Sequence, residues 1–206
     1  MDLPTLAITV GPIVAGYFIG GIPFGIVVAR VVGGPDPRSL GSGRTGGANV
    51  MRALGFRAAV VAGLLDAAKG AVAAAIPLML GSGPLVQVLA ALAAILGHSR
   101  SPYIRFGGGR GIAPGFGGLA VIAPLIALVI VPIFGFILVA SRISSLASLT
   151  SSALAMIGLL IAVGAFGMNP AYAVYAVGGA AMIWLFHSDN IRRLLTGQER
   201  RIEFRR

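Results

Sequence analysis

The stretch from Ile112 to Ala140 reads IAPGFGGLAVIAPLIALVIVPIFGFILVA and contains no charged residue. Two further charge-free runs, Pro4–Ala29 and Ile143–Ser188, lie before and after it. All three are apolar on every side, whereas membrane-spanning strands alternate polar and apolar residues. With 57% hydrophobic and 11% charged residues among 206, the composition is typical of an integral membrane protein. We therefore predict an all-α membrane protein, a compact bundle in the lipid bilayer with a single domain over residues 1–206.

Candidate membrane spans are the apolar segments, roughly Pro4–Val32, Ala58–Leu80, Leu85–Leu96, Ile112–Ala140, Leu146–Gly167 and Ala171–Phe186. Basic residues cluster at Arg30–Arg57, at Arg100–Arg110, at Arg142 and at Arg192–Arg206, while the connections 81–84 and 168–170 are uncharged. Because basic connections favour the cytoplasmic side, we predict the N-terminus outside and the C-terminus inside. The first four residues carry no basic charge, so we expect the first apolar run to be a retained helix rather than a cleaved signal peptide.

The number of helices depends on how the stretch 112–140 is folded. As one straight helix it would be about 43 Å long and would cross once, which would put the arginine-rich C-terminus outside. As a hairpin of two short helices, turning near Pro124 to Pro132, it keeps every basic cluster inside. We favour the hairpin on charge, which gives about seven transmembrane helices.

Two glycine-rich segments that carry arginine stand between the apolar runs. The first is Gly41-Ser42-Gly43-Arg44-Thr45-Gly46-Gly47-Ala48-Asn49, and the second is Gly107-Gly108-Gly109-Arg110-Gly111. Glycine allows consecutive backbone N–H groups to converge on an anion, and a guanidinium adds charge and a two-pronged donor. The alternative is that the glycines serve turns or close helix packing and the arginines only set topology. Since both segments fall on the predicted cytoplasmic side, we predict one pocket for phosphate groups there.

Several polar side chains are candidates for the same pocket. Asn49 and Arg52 are three residues apart, on one side of a helix that we expect to begin after the first glycine segment, with its free N–H groups toward the anion. Ser42 can donate its hydroxyl to that anion, or it can cap a local turn. His187 lies at the end of the last apolar run and begins the polar cluster His187-Ser188-Asp189-Asn190.

Asp66 and Lys69 are ionisable residues inside an apolar run, and such residues are usually paired or functional. They form either a structural ion pair or a support beside the pocket. His98, where the third apolar run ends, is either interfacial or part of the site. With two histidines and no cysteine, a metal site would depend on Asp66 and Asp189, so we predict no metal and no cofactor.

The formal net charge of +10 favours anionic lipid headgroups as partners. We expect no binding to nucleic acid, because the basic residues are scattered among glycines without interleaved aromatic residues.

The motifs resemble those of the bacterial integral-membrane glycerol-3-phosphate acyltransferases that use acyl phosphate, the PlsY type. Their order and spacing match over nearly the whole chain, at Gly21-Ile22-Pro23-Phe24-Gly25, Gly41-Ser42-Gly43, Asn49-Val50-Met51-Arg52, Leu54-Gly55, Asp66-Ala67-Ala68-Lys69-Gly70, Gly97-His98, Phe106–Ala113, His187, Asn190-Ile191, Arg193-Leu194, Gly197 and Glu199. The resemblance implies seven helices with the N-terminus outside, which agrees with the topology predicted from the basic clusters.

The resemblance implies transfer of a fatty acyl group from acyl phosphate to the 1-hydroxyl of glycerol 3-phosphate, in the bacterial cytoplasmic membrane and on its cytoplasmic face. The products would be lysophosphatidic acid and phosphate. We predict catalytic roles for Ser42, Arg52, Arg110 and His187. The predicted substrate-binding residues are Gly41, Gly43, Arg44, Gly46, Asn49, Lys69, His98, Gly108, Gly109, Gly111 and Asn190.

The chain departs from the family pattern at the predicted pocket. Arg44 replaces the usual asparagine, Gly47 an alanine and Ala48 a threonine; Arg110 replaces a lysine, Pro114 a threonine and Gly107 a frequent lysine, and Phe186 an arginine. These departures suggest an alternative, a divergent relative that binds phosphorylated lipid precursors or uses another acceptor. A carrier of organic phosphates is a further alternative, although the sequence lacks the repeated halves of such carriers.

Overall fold

The computed structural model describes residues 2–202, and all regular secondary structure in that range is helical. Arg205 and Arg206, which belong to the predicted C-terminal basic cluster, lie outside the described residues. In chain order the α-helices are α1 (Leu3–Gly21), α2 (Phe24–Val31), α3 (Gly47–Leu54), α4 (Phe56–Met79), α5 (Pro84–Ser99), α6 (Ile112–Ile122), α7 (Pro124–Ser141), α8 (Ser144–Phe166), α9 (Ala171–Phe186) and α10 (Ser188–Leu195).

The first apolar run is divided into α1 and α2 at Ile22 and Pro23. Proline has no N–H, and its ring disfavours a helical backbone in the residue before it. Ile22 accordingly leaves the helix, with ψ at 119°, and its carbonyl accepts a hydrogen bond of 2.7 Å from Lys69 Nζ. The expectation of one continuous helix here was wrong, because it ignored the effect of Pro23.

The stretch 112–140 is a hairpin, as the charge argument predicted. Its two helices, α6 and α7, meet at Ala123, where Pro124 begins the second helix. The rings of Phe116 and Phe134 stack edge to face with centroids 5.3 Å apart. In a straight helix these residues would be about 27 Å apart, so α7 must fold back along α6.

Helix lengths separate the apolar helices into two groups. By length and composition alone, α1, α4, α7 and α8 can each cross a membrane, and α9 with α10 forms a fifth candidate that is bent by 66°. With 16 residues in α5 and 11 in α6, these helices are about 24 and 17 Å long, less than a hydrocarbon core of about 30 Å. Length therefore supports four or five full crossings rather than the predicted seven.

Glycines allow the central helices to approach closely. A Cβ on Gly16 or Gly20 of α1 would collide with the backbone of Ala90 or Ala94 in α5. Small residues at such crossings stabilise helix pairs in lipid, where burial of apolar surface contributes little. Glycine thus permits the close approach of α1 and α5 at this contact.

Short contacts place the basic clusters at one end of the bundle, here called the basic face. Arg44 Nη1 lies 3.5 Å from the Gly109 carbonyl oxygen, and Arg110 forms an ion pair of 2.9 Å with Asp189. The N–H of Ile202 donates to the Arg142 carbonyl at 2.7 Å, which joins the C-terminal segment to the α7–α8 connection.

Different contacts define the opposite end of the bundle. Ser82, in the uncharged α4–α5 connection, donates to the Ile8 carbonyl at 2.7 Å, and Tyr172 near the start of α9 donates to Gln87 near the start of α5 at 3.2 Å. The uncharged connections thus lie away from the basic face, as the charge pattern predicted.

Candidate active site

The first glycine segment is held in shape by Asn49. Gly41 and Gly43 adopt φ of 59° and 70°, which other residues rarely adopt. The buried Asn49 amide donates to Ser42 Oγ at 3.1 Å and to the Arg44 carbonyl at 2.9 Å. Its oxygen accepts from the Ser42 N–H at 3.4 Å and from Arg52 at 2.9 Å. Since these bonds use both donors and both lone pairs, Asn49 acts by holding Ser42 and Arg52 in place.

Arg52 lies on the same side of α3 as Asn49, as its spacing predicted, and α3 begins directly after the first glycine segment. Its Nη1 contacts Asn49, and no residue in 2–202 forms a hydrogen bond with its Nε or Nη2. That edge of a guanidinium can bind two oxygens of one phosphate. Burial lowers the pKa of Arg52, and nearby Arg200 lowers it further, while Glu199 raises it. Neighbouring cations repel each other, so an anion between them is stabilising.

The second glycine segment contacts the first one. The N–H of Gly109 donates to the His98 carbonyl at 3.0 Å, and the Gly109 carbonyl lies 3.5 Å from Arg44 Nη1. A Cβ on Gly108 would collide with the His98 carbonyl oxygen, and a Cβ on Gly109 with the His98 ring. The structure brings the two glycine segments together, as predicted. Glycine is required at positions 108 and 109, because a side chain there would collide with His98.

Arg110 extends from this segment toward the bend between α9 and α10. Its Nη2 pairs with Asp189 Oδ2 at 2.9 Å, and its Nε is buried without a partner among residues 2–202. Burial lowers the pKa of Arg110 and Asp189 opposes that shift. Arg110 therefore has one buried donor that the described residues do not use.

His187 occupies the bend itself and is 2% exposed. Its Nδ1 lies 2.8 Å from the Ile183 carbonyl oxygen, so Nδ1 carries the proton and Nε2 has a free lone pair. Burial lowers the pKa of His187 to about 4; the Ile183 carbonyl opposes this, and the positive charge of Arg110 adds to it. At neutral pH the imidazole is uncharged and can accept a proton at Nε2.

The predicted residue Asn190 donates to Glu199 at 3.0 Å, so the C-terminal segment closes over α10. Arg193 donates to the same carboxylate at 3.1 Å and to Asp189 at 3.1 Å. Burial raises the pKa of Asp189, but Arg110 and Arg193 outweigh it and hold that pKa below its ordinary value. Among Asp189, Asn190 and Arg193, only Asn190 was predicted from the sequence to bind substrate. The four-residue spacing of Asp189 and Arg193 was the available signal for their pairing.

Lys69 and His98 lie beneath the glycine segments, among α4, α5 and the α1–α2 break. Lys69 forms an ion pair with Asp66 at 2.7 Å and contacts His98 Nδ1 at 2.9 Å, and all three side chains are buried. Asp66 and Lys69 thus form the ion pair that was one of the two interpretations of the sequence.

An apolar cleft between α5, α6, α8 and α9 begins next to the polar site. Ile112, which follows Gly111, and Ile183, whose carbonyl contacts His187, form part of its wall. The other lining residues are Ile95, Gly115, Phe116, Leu119, Ser152, Ala155, Met156, Leu159, Tyr175, Ala176, Gly179 and Ala180. Cationic side chains of the glycine segments thus lie close in sequence and space to a small apolar cleft.

Comparison with known proteins gives a consistent family. A family model described as glycerol-3-phosphate acyltransferase matches residues 10–197. The glycerol-3-phosphate acyltransferase of Roseiflexus sp. is 39% identical over 201 residues, covering 98% of each chain. That of Rubrobacter xylanophilus is 39% identical over 190 residues, covering 92% of each chain. The chain belongs to the glycerol-3-phosphate acyltransferase family.

Solved structures agree with this family. Two crystal structures of PlsY (YgiH), an integral membrane glycerol 3-phosphate acyltransferase, are similar to the present structure over 95% of this chain and 96% of PlsY. The glycerol 3-phosphate form has a TM-score of 0.86 at 34% identity, and the lysophosphatidic acid form has 0.85 at 33%. The predicted resemblance and the all-α membrane fold class are confirmed.

Proposed function

We propose that the protein transfers a fatty acyl group from acyl phosphate to the 1-hydroxyl of glycerol 3-phosphate. The products are lysophosphatidic acid and inorganic phosphate, a step of phospholipid synthesis. The observation that carries the proposal is that Arg110 lies close enough to the His187 imidazole for its charge to act on it, next to the glycine segments and to the apolar residues Ile112 and Ile183. Both substrates carry phosphate, which cationic side chains bind, and one also carries a hydrocarbon chain.

In the proposed reaction, the glycerol 1-oxygen forms a bond with the acyl carbonyl carbon, and the bond from that carbon to the phosphate oxygen breaks. The hydroxyl proton passes to His187 Nε2 or to a phosphate oxygen of the acceptor. Negative charge that develops on the carbonyl oxygen is stabilised by Arg110 and by backbone N–H groups of the glycine segments. Because acyl phosphate is already activated, no covalent enzyme intermediate and no cofactor are needed.

The phosphates have separate ligands in this proposal. The free edge of Arg52 and the Ser42 hydroxyl bind one phosphate at the first glycine segment. Arg110 and Arg44 bind another at the second, with Gly41, Gly43, Gly46, Gly108, Gly109 and Gly111 allowing the backbone to approach. Asn190 orients α10 through Glu199. The acyl chain lies along apolar helix faces next to the site.

For the orientation, we propose seven transmembrane helices, with α1 and α4–α9 in the membrane, the N-terminus outside and the basic face cytoplasmic. The location is the bacterial cytoplasmic membrane. The contacts that gather the arginine clusters at one end support this, because positive charge favours the cytoplasmic side. The shorter helices α5 and α6 would cross only with flanking residues or local thinning of the bilayer.

The donor is tested with purified protein and glycerol 3-phosphate, supplied in turn with acyl phosphate, acyl-CoA and acyl carrier protein. We expect lysophosphatidic acid from acyl phosphate and little from the thioesters. Product from a thioester donor at an equal rate would contradict the proposed donor, and uptake of glycerol 3-phosphate into vesicles without acylation would favour the carrier.

Arg52 gives a test of the acceptor site. Its replacement by alanine should reduce kcat/KM by about ten- to a hundredfold, since loss of a charged phosphate contact costs about 1.5–3 kcal/mol. Arg57→Ala is the matched control, because Arg57 is exposed at the start of α4. A folded Arg52→Ala protein with parental KM and kcat would rule out phosphate binding by Arg52.

A further inference from the structure

A buried charged cluster lies outside the proposed substrate contacts. Asp66, Lys69 and His98 are 4%, 4% and 6% exposed and come from two different helices, α4 and α5. Lys69 is the only lysine of the chain. Buried charges in a membrane protein are costly, so a cluster of this kind needs a reason to be retained.

The protons of Lys69 define the state of its neighbours. An ammonium has three N–H donors and no acceptor. Lys69 Nζ has three polar neighbours in the protein: Asp66 Oδ1 at 2.7 Å, the Ile22 carbonyl at 2.7 Å and His98 Nδ1 at 2.9 Å. A charged ammonium can only donate, so His98 Nδ1 is the acceptor in its contact with Lys69. Asp66 Oδ1 lies between the two, 2.7 Å from Lys69 Nζ and 3.5 Å from His98 Nδ1, and holds the ammonium by charge. Neutral His98 must then carry its proton on Nε2.

His98 connects this cluster to the second glycine segment. Its carbonyl accepts the Gly109 N–H at 3.0 Å, and its ring occupies the space where a Cβ of residue 109 would stand. Gly109 in turn lies beside Arg44 and directly precedes Arg110. A change in the orientation of the imidazole would therefore displace the segment that carries Arg110.

We propose that Asp66 and Lys69 are positioning residues that lock His98 in the Nε2–H tautomer against Gly109 and so fix the second glycine segment for phosphate binding. Lys69 acts through His98 rather than on the substrate, which replaces the substrate-binding role predicted from sequence. The functional part of this inference rests on the proposed acyl transfer. The structural part does not, because it concerns only protein atoms.

The tautomers can be measured directly. The chain has two histidines, and the structure gives them opposite tautomers, Nε2–H for His98 and Nδ1–H for His187. In ¹⁵N-histidine spectra of the full-length protein in lipid bilayers at pH 7, we expect both forms, with the signals assigned by a His187→Gln variant. Lys69→Met should alter only the His98 signal. An Nδ1–H His98 in the parent, or a His98 signal that Lys69→Met leaves unchanged, would overturn the proposal whether or not the protein transfers acyl groups.

The functional arm uses the double variant Asp66→Asn/Lys69→Met. It removes both charges together and so avoids the unpaired buried charge that a single replacement leaves. We expect a thermal midpoint close to the parent but a KM for glycerol 3-phosphate that is about tenfold higher or more, as for other groups that orient a binding residue. If Asp66 and Lys69 only stabilised the fold, a folded double variant would keep the parental KM for glycerol 3-phosphate. That result would overturn the proposal.

Replacement of His98 supplies the conservative rescue. His98→Gln keeps an N–H near the Nε2 position and should retain KM within about threefold, whereas His98→Leu should raise it as the double variant does. Gln87→Met is the matched control, because Gln87 is a buried polar residue at the opposite end of the same helix. Equal KM values for His98→Gln and His98→Leu would overturn the role of the Nε2 proton. A parent without acyl transfer would refute the proposed function and leave the tautomer measurement valid.

Discussion

Among single side chains, Arg110 shows how a departure from the family pattern is accommodated. It stands where the resemblance implies a lysine, and its guanidinium bonds Asp189 through Nη2 while Nε remains without a partner among residues 2–202. A planar guanidinium can contact a carboxylate and a phosphate at once with fixed geometry, which an ammonium cannot reproduce.

If Arg110 is adapted to this site, Arg110→Lys should reduce acyl transfer and Arg110→Ala should nearly abolish it, with a loss of about 1.5–3 kcal/mol in transition-state stabilisation. Steady-state kinetics of both variants beside the parent measure this. Higher activity in Arg110→Lys than in the parent would indicate a site that has drifted from the reaction, and equal activity in all three would exclude Arg110 from catalysis.

Local spacing predicted some contacts of the site and missed others. Asn49 and Arg52 are three residues apart in one helix, so their pairing followed from the sequence. The Glu199 contacts with Asn190 and Arg193 depend on how the chain folds back after α10, which no periodicity reveals. Lys69 is clearly ionisable from sequence, but only the structure shows that its ammonium pairs with Asp66 and contacts the Ile22 carbonyl and His98.

Between elements, the decisive contact is the crossing of α1 and α5. Gly20→Ala should destabilise the protein by roughly 1–3 kcal/mol, because the added Cβ collides with the Ala94 backbone and the helices must separate. Gly11→Ala in the same helix is the control, since nothing lies within 4 Å of its Cβ, and it should be neutral or slightly stabilising. Thermal unfolding in detergent measures both, and equal midpoints would show that this crossing is loose.

The molecule has two helix breaks next to proline, of which only one was predicted from the sequence. The hairpin over 112–140 was predicted because global charge balance demanded it, and Pro124 marks where it occurs. The break at Ile22 and Pro23 carried no charge signal and was missed, although proline alone gave the local reason. Charge thus predicted the hairpin, whereas the break at Pro23 could have been predicted only from local backbone chemistry.

For the whole molecule, the proposed reaction requires the basic face to lie on the cytoplasmic side of the membrane. The chain has no cysteine, so single cysteines can report sidedness. An impermeant maleimide should label a Gly83→Cys variant in intact bacterial cells and should label Thr196→Cys only after lysis; both sites are exposed. The expected result follows from positive charge remaining inside. Labelling of Thr196→Cys in intact cells would reverse the proposed orientation.

The most direct test of the central claim is the stoichiometry of the reaction with purified protein, acyl phosphate and glycerol 3-phosphate. Product and phosphate are measured together, with the acyl position determined by mass spectrometry. We predict one 1-acyl lysophosphatidic acid for each phosphate released, and no phosphate release above background without the acceptor. Phosphate release that does not depend on glycerol 3-phosphate, or no acylated product, would contradict the account.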